Sequence, residues 1–206
     1  VFWNGSDVSR LLGTPNWQEW LKETPAVHAC HNKETQEELA SVGIDALIRP
    51  IFFGNIEDFK VSFIPSEKPH FYMNVHKGRE SEYGLYKMLR ISKQCPDATF
   101  HVYGIEGEST ENVVYHGWVE EQYMDREIKQ YQGVLRFNEH DGLSQMIVKG
   151  GLLGHYILSS IGLPGALRAS SEEDYIKAIS EVSKAQKPNL EFRKHFLDKL
   201  NNFDWV

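Results

Sequence analysis

Between residues 70 and 159 the sequence alternates short apolar runs with helical stripes, and this rhythm leaves few folds open. Apolar runs at His70 to Val75, Thr99 to Tyr103, Asn112 to Tyr115, Gly133 to Phe137 and Tyr156 to Ser159 read as strands. Between them, Tyr83 to Gln94 carries Leu85, Met88, Leu89 and Ser92 at spacings of three and four, one face of a helix. Glu120 to Gln130 and Ser144 to Leu153 read as two more helices. Strands that alternate with single helices need right-handed crossovers. They build a doubly wound parallel sheet with helices on both faces.

The flanking segments read less regularly. Residues 1–50 suggest a partial second α/β unit. Val1 to Trp3 is a strand running into the turn-rich Asn4-Gly5-Ser6-Asp7, and Pro25 to Cys30 and Ala46 to Ile48 are two further strands. Asn32 is placed to cap a helix that Gly43 closes. Trp17 and Trp20, on a short helix, read as packing residues, with contact to lipid or acceptor as the alternative. Residues 54–69, rich in Gly, Asn, Pro and Ser, read as a loop or hinge. After Pro188, Phe192, Phe196, Leu200 and Phe203 form a stripe that needs a second surface, expected on residues 1–48. The expected division is 1–50, 51–187 and a helix at 188–206 that returns to the amino-terminal segment.

Charge and composition exclude several classes. Twenty-two basic against 29 acidic residues give a net charge of −7, which offers no basic field for nucleic acid. Cys30 and Cys95 lack metal-ligand spacing and read as unpaired thiols, and His28 and His31 have no partner at ligand spacing. No apolar run approaches the ~20 residues of a membrane helix. Neither G-x-G-x-x-G nor a P-loop sequence is present.

In a parallel sheet, ligands bind at the carboxyl ends of the strands. That rim comprises residues 76–82, 104–111, 116–119 and 138–143. Lys77 and Arg79 would grip an anion there or simply be solvated. Arg136 is a further basic candidate, its alternative an ion pair with Glu139 or Asp141. The run Val134 to Ser144 passes from strand to loop to helix start. Gly142 permits close approach of a ligand, and the free N–H groups near Ser144 suit a phosphate. An ordinary strand-to-helix turn with a serine cap fits the same residues.

Several pieces then occur in a telling order: Trp3-Asn4-Gly5-Ser6-Asp7-Val8, Phe100-His101-Val102-Tyr103-Gly104, Asn112-Val113, His116-Gly117-Trp118-Val119, Asp141-Gly142-Leu143-Ser144 and Gly154 to Ser160. Together they resemble the carboxyl-terminal domain of the group 1 glycosyltransferases, retaining enzymes of the two-Rossmann-domain GT-B class. The resemblance covers nearly the whole chain and implies a Rossmann-like donor domain with part of the acceptor domain. It implies a hexosyltransferase that moves a sugar from a UDP- or GDP-sugar to a glycan, lipid or small acceptor, in truncated or split form. Asp141 would touch the donor sugar as the catalytic residue. Lys77, Arg79, Arg136, Trp118, Val119, Gly142, Leu143, Ser144 and position 149 would surround the donor. No metal or cofactor is implied beyond the nucleotide sugar. The partner protein would be a separate acceptor-domain chain or a second copy, and the location cytoplasmic or peripheral at the inner face of a membrane.

The chain departs from the family in two respects. The sequence does not include the full acceptor-domain unit that precedes the Trp3 loop there, with no His near Trp3 or Asn4, and one acidic position is changed. The second acidic position, which there holds the ribose hydroxyls, falls on Lys149. Lysine donates hydrogen bonds and cannot accept them. This substitution leaves open a second reading, a non-catalytic module with a degenerate donor site.

Overall fold

The computed structural model describes residues 1–23, 25–49, 51–138 and 143–201. The chain divides into two compact units. One comprises Val1–Phe53, His140–Gln145 and Phe196–Val206, the other Gly54–Glu139 and Met146–His195.

In the first unit, β1 (Phe2–Trp3), β2 (His28–Cys30) and β3 (Ala46–Ile48) form a parallel sheet in that order. Helix α1 (Gly5–Leu12) follows β1 directly, where the sequence suggested a turn. Asn4 precedes it as the cap, with its amide 3.4 Å from the Asp7 carboxylate. Helices α2 (Pro15–Glu23) and α3 (Lys33–Ser41) follow. The Asn32 side chain accepts from the Thr35 amide at 2.9 Å, the cap expected from the sequence. Trp3, Val8, Leu11, Leu21, Cys30, Leu39, Ile44 and Ala46 make the core. Trp17 and Trp20 do not join it: they are 59% and 64% exposed, which corrects the expectation of packing. Of α2, only Leu21 is buried.

The second unit holds a six-stranded, all-parallel sheet. Its strands are β4 (His70–Asn74), β5 (Thr99–Tyr103), β6 (Val113–Gly117), β7 (Gly133–Arg136), β8 (Tyr156–Ser159) and β9 (Leu167–Arg168), in the spatial order β6-β5-β4-β7-β8-β9. The strands expected at 70–75, 99–103, 133–137 and 156–159 are all present, and β6 runs two residues beyond the expected end. Helices α4 (Leu85–Ser92), α5 (Glu121–Glu127, continued by a 3-10 turn to Gln130), α6 (Gln145–Leu153) and α7 (Glu172–Val182) connect or flank them.

Alternation along β4 and β5 gives the sheet two unlike faces. Phe71, Met73, Phe100, Val102 and Leu135 join Met88 and Ile91 of α4 and Tyr175, Ala178, Ile179 and Val182 of α7 in one apolar core. Tyr72, His101 and Tyr103 are buried on the opposite face with Tyr131, which follows α5. Helix α6 lies over that face as well, because a Cβ on Gly150 would come 2.7 Å from the Tyr72 hydroxyl.

The adjacent glycines of α6 lower helix propensity for a packing reason. A side chain on Gly151 would collide with the ring of Phe192, which is buried on the first turn of α8 (Glu191–Asn201). Gly151→Ala is therefore expected to cost about 1–3 kcal/mol by overpacking, read as a lower urea midpoint. An unchanged midpoint would refute this account of the glycine.

The stripe on α8, expected on residues 1–48, begins instead against α6 of its own unit. Phe192 packs at Gly151, and Arg193 donates to the carbonyls of Leu152 and Phe59 at 2.6 and 2.9 Å. Phe196 meets Phe52 edge-on at 6.5 Å in the first unit. The side chain of Leu200, and Phe203, lie outside the described residues.

Candidate functional site

Strand order reverses beside β4. From it the chain runs outward through β5 and β6, then returns to place β7 on the other side. Loops leaving neighbouring strands on either side of such a switch point diverge to opposite faces and open a crevice at the carboxyl ends. Here the switch point lies between β4 and β7.

Three of the expected basic residues stand at this point. Lys77 and Arg79 follow β4 and are exposed; Arg136 ends β7 and is 9% exposed. Tyr83, which the sequence reading passed over, links two of them. The Arg79 guanidinium lies 5.2 Å and the Arg136 guanidinium 5.0 Å from its ring centroid. His76 meets the same ring at 5.1 Å. Gly84, at φ 73°, closes the loop against Phe137, leaving no room for a Cβ.

The loop partly neutralises itself. Glu82 takes both arms of Arg79, one at 2.7 Å, and this bond, reinforced by Arg79, Arg136 and His76, holds its carboxyl below the usual range. Glu80 accepts from the Gly78 amide at 2.9 Å, which lowers its pKa too. An arriving phosphate would compete with Glu82 for Arg79 and meet Lys77 in water.

Asn138, just past β7, falls in the expected rim at 138–143 but is not singled out by the sequence. It is 5% exposed, and its side-chain oxygen is buried with no hydrogen-bond partner among the described residues. Such an orphan is uncommon. Its backbone oxygen is held by the Ser160 hydroxyl, which fixes the strand end. The Tyr175 hydroxyl donates to the Arg136 carbonyl at 2.6 Å and anchors the same turn from α7.

The other rim residues separate. Trp118 and Val119 follow β6; Trp118 is 79% exposed, and Gly117 before it has φ 64°. Leu143 and Ser144 precede α6 and group with the first unit, and Leu143 has φ 98°, a region that favours glycine. Asp141 and Gly142, with Glu139 and His140, lie outside the described residues.

Lys149 is 6% exposed on α6. Its ammonium lies 2.5 Å from Glu121 and 2.7 Å from Asp125, both on α5, and 5.5 Å from the Phe59 ring. Two carboxylates therefore match the buried ammonium charge. Among the described residues, no group of three His, Cys, Asp or Glu is placed to hold a metal ion. No described helix is long and apolar enough to cross a membrane.

Known structures agree with this architecture. HepE of Anabaena, in complex with UDP and glucose, superposes with a TM-score of 0.66 at 12% identity, covering 96% of this chain and 65% of that one. The fold is that of the GT-B glycosyltransferases. Sucrose-phosphate synthase of Thermosynechococcus elongatus gives 0.69 at 9% identity, over 93% of this chain and 57% of that one. S. aureus TarM, in complex with fondaparinux, alpha-GlcNAc-glycerol and UDP, gives 0.63 at 9% identity, over 86% and 41%. The chain thus spans between about two fifths and two thirds of these structures. No family model and no curated protein sequence matches it, so the likeness is one of structure alone.

Proposed function

We propose that this chain is the donor-binding part of a nucleotide-sugar glycosyltransferase, with UDP- or GDP-sugar as donor and a glycan, lipid or small molecule as acceptor. The observation that carries the reading is the pairing of Arg79 and Arg136 around the Tyr83 ring at the switch point, with Lys77 exposed in the same loop as Arg79. A diphosphate suits that grouping, because guanidinium groups grip phosphate oxygens bidentately and lysine adds a point charge. In a retaining transfer these cations would stabilise the departing diphosphate, with no metal required. Asp141 is proposed to touch the donor sugar. Gly142, Leu143, Ser144, Trp118 and Val119 are proposed to complete the donor's surroundings. A separate acceptor-bearing chain or a second copy would supply the remainder, in the cytoplasm or at the inner face of a membrane.

Lys149 supports a second reading. With its ammonium committed to α5, position 149 offers no acceptor to a ribose, as a non-catalytic module with a degenerate donor site would have it. Titration calorimetry with UDP and GDP separates the outcomes. Binding should weaken roughly tenfold in Lys77→Ala, the loss of one charged hydrogen bond. No binding by the unmodified chain would remove the donor-site assignment, and equal binding by the variant would remove Lys77 from it.

A further inference from the structure

Beneath α5 the sheet carries a row of imidazoles where a β-sheet core normally holds aliphatic side chains. His70 Nδ1 lies 2.8 Å from His101 Nε2, and His101 Nδ1 lies 2.9 Å from His116 Nε2. His116 Nδ1 is 3.5 Å from the Glu127 carboxylate on α5. A second branch reaches the same carboxylate. The Tyr131 hydroxyl lies 3.2 Å from His101 Nδ1 and 3.1 Å from the Tyr103 hydroxyl, which donates to Glu127 at 2.7 Å. The rings are stacked, His101 on Tyr131 at 4.2 Å and His116 on Tyr103 at 4.3 Å.

One carboxylate orders the whole row. A neutral imidazole has one donor and one acceptor nitrogen, whereas a carboxylate only accepts. With Glu127 3.5 Å from His116 Nδ1, the favoured order places the proton on Nδ1, so His116 Nε2 accepts. That makes His101 Nδ1 the donor and His101 Nε2 the acceptor, and His70 Nδ1 the next donor. The reverse order would set the lone pair of His116 Nδ1 against the carboxylate.

We propose that this directed row is an acid-released clasp that seats α5 on the sheet. A proton added to His116 Nε2 would point two donors at each other across the bond to His101. A proton on Glu127 would remove the group that orders the chain. Either event loosens α5, which begins three residues after the exposed Trp118, and so loosens the rim at β6.

The row's surroundings are His70 and Tyr72 on β4, Tyr103 on β5, His116 on β6, Tyr131 after the 3-10 turn, and Asp125 and Glu127 on α5. Lys149 of α6 pairs with Asp125, and His155 meets Tyr72 at 3.3 Å. No cation among these faces the imidazoles directly, and burial lowers the pKa of His70, His101 and His116, with Glu127 opposing the shift at His116. Protonation is therefore coupled to undocking.

Two measurements on the full chain test the clasp. Nitrogen-15 spectra of the histidine side chains at pH 7.5 should show the Nδ1–H tautomer at His101 and His116, and Glu127→Gln should abolish that preference, since an amide can donate as well as accept. An Nε2–H tautomer at either residue in the unmodified protein overturns the proposal. Hydrogen exchange, corrected for intrinsic rates, should show residues 121–130 losing protection about tenfold more than α4 between pH 7.5 and 5.5, as when one hydrogen-bonded contact is lost. Equal losses in α4 and α5, or none, overturn it as well.

Discussion

Replacing Lys149 with glutamate is expected to destabilise the second unit by about 3–5 kcal/mol, the cost of leaving buried charge uncompensated. The lysine side chain is 7% exposed and holds Glu121 and Asp125. The introduced carboxylate would face both without a cation. Glu121, 77% exposed, can turn into water, whereas Asp125, 24% exposed, is less able to escape. Asp125 therefore carries most of the penalty. Lys149→Met, which removes charge but keeps length, is expected to cost about 1–2 kcal/mol, because one partly buried acceptor loses its donor. The double variant Lys149→Glu with Asp125→Lys should recover more than half of the loss, since it reverses the inner pair in place. Urea midpoints of the four proteins decide the matter. A Lys149→Glu midpoint equal to that of the unmodified chain would show that the ion pair does not support the fold.

The sequence carried the sheet plainly because the physics of a parallel strand is local. Runs such as Phe100-His101-Val102-Tyr103 have no other stable use beside amphipathic helical stripes. The basic rim was equally legible, since Lys77, Arg79 and Arg136 fall at strand ends. Long-range pairing was the part that stayed hidden. Lys149 stands out as a departure in the sequence, but its partners lie 24 and 28 residues away on α5. Tyr83 looked like the start of a helical stripe, whereas its ring serves two guanidinium groups from opposite sides of the switch point. The alternation His70-x-Tyr72 and His101-x-Tyr103 was visible as a strand pattern, but the carboxylate that gives the histidines a direction sits on another element. Trp17 and Trp20, spaced three apart, imitated a buried stripe on a helix whose remaining apolar residue, Leu21, does the packing. Periodicity specifies a face only where several residues share it.

Acidification from pH 7.5 to 5.0 is expected to remove about 4 kcal/mol of stability, a large share of the ~5–15 kcal/mol of a typical domain. His101 and His155 are buried, and desolvation lowers each pKa to about 3. In the unfolded chain both titrate near ~6.5. Above that value both states are neutral and pH has no effect through these groups. Below it the unfolded chain binds protons that the folded chain refuses until about pH 3, so stability falls as pH falls across this window. Each histidine contributes ~1.4 kcal/mol per pH unit, hence about 2 kcal/mol apiece over the 1.5 units down to pH 5.0. Burial lowers His28, His70 and His116 as well, which steepens the loss in the same direction. His155 allows the contributions to be separated. It is fully buried, with Nδ1 near the Tyr72 hydroxyl and Nε2 without a partner among the described residues, and it lies outside the row under α5. Substitution by leucine removes a titrating group while keeping an apolar side chain in the core. Equilibrium urea unfolding at half-unit steps from pH 7.5 to 5.0 should give a slope approaching two protons or more for the unmodified chain, and about one fewer for His155→Leu. A stability independent of pH in this range would mean that the buried histidines are solvated on the folded sheet. An unchanged slope in His155→Leu would place the titrating groups elsewhere.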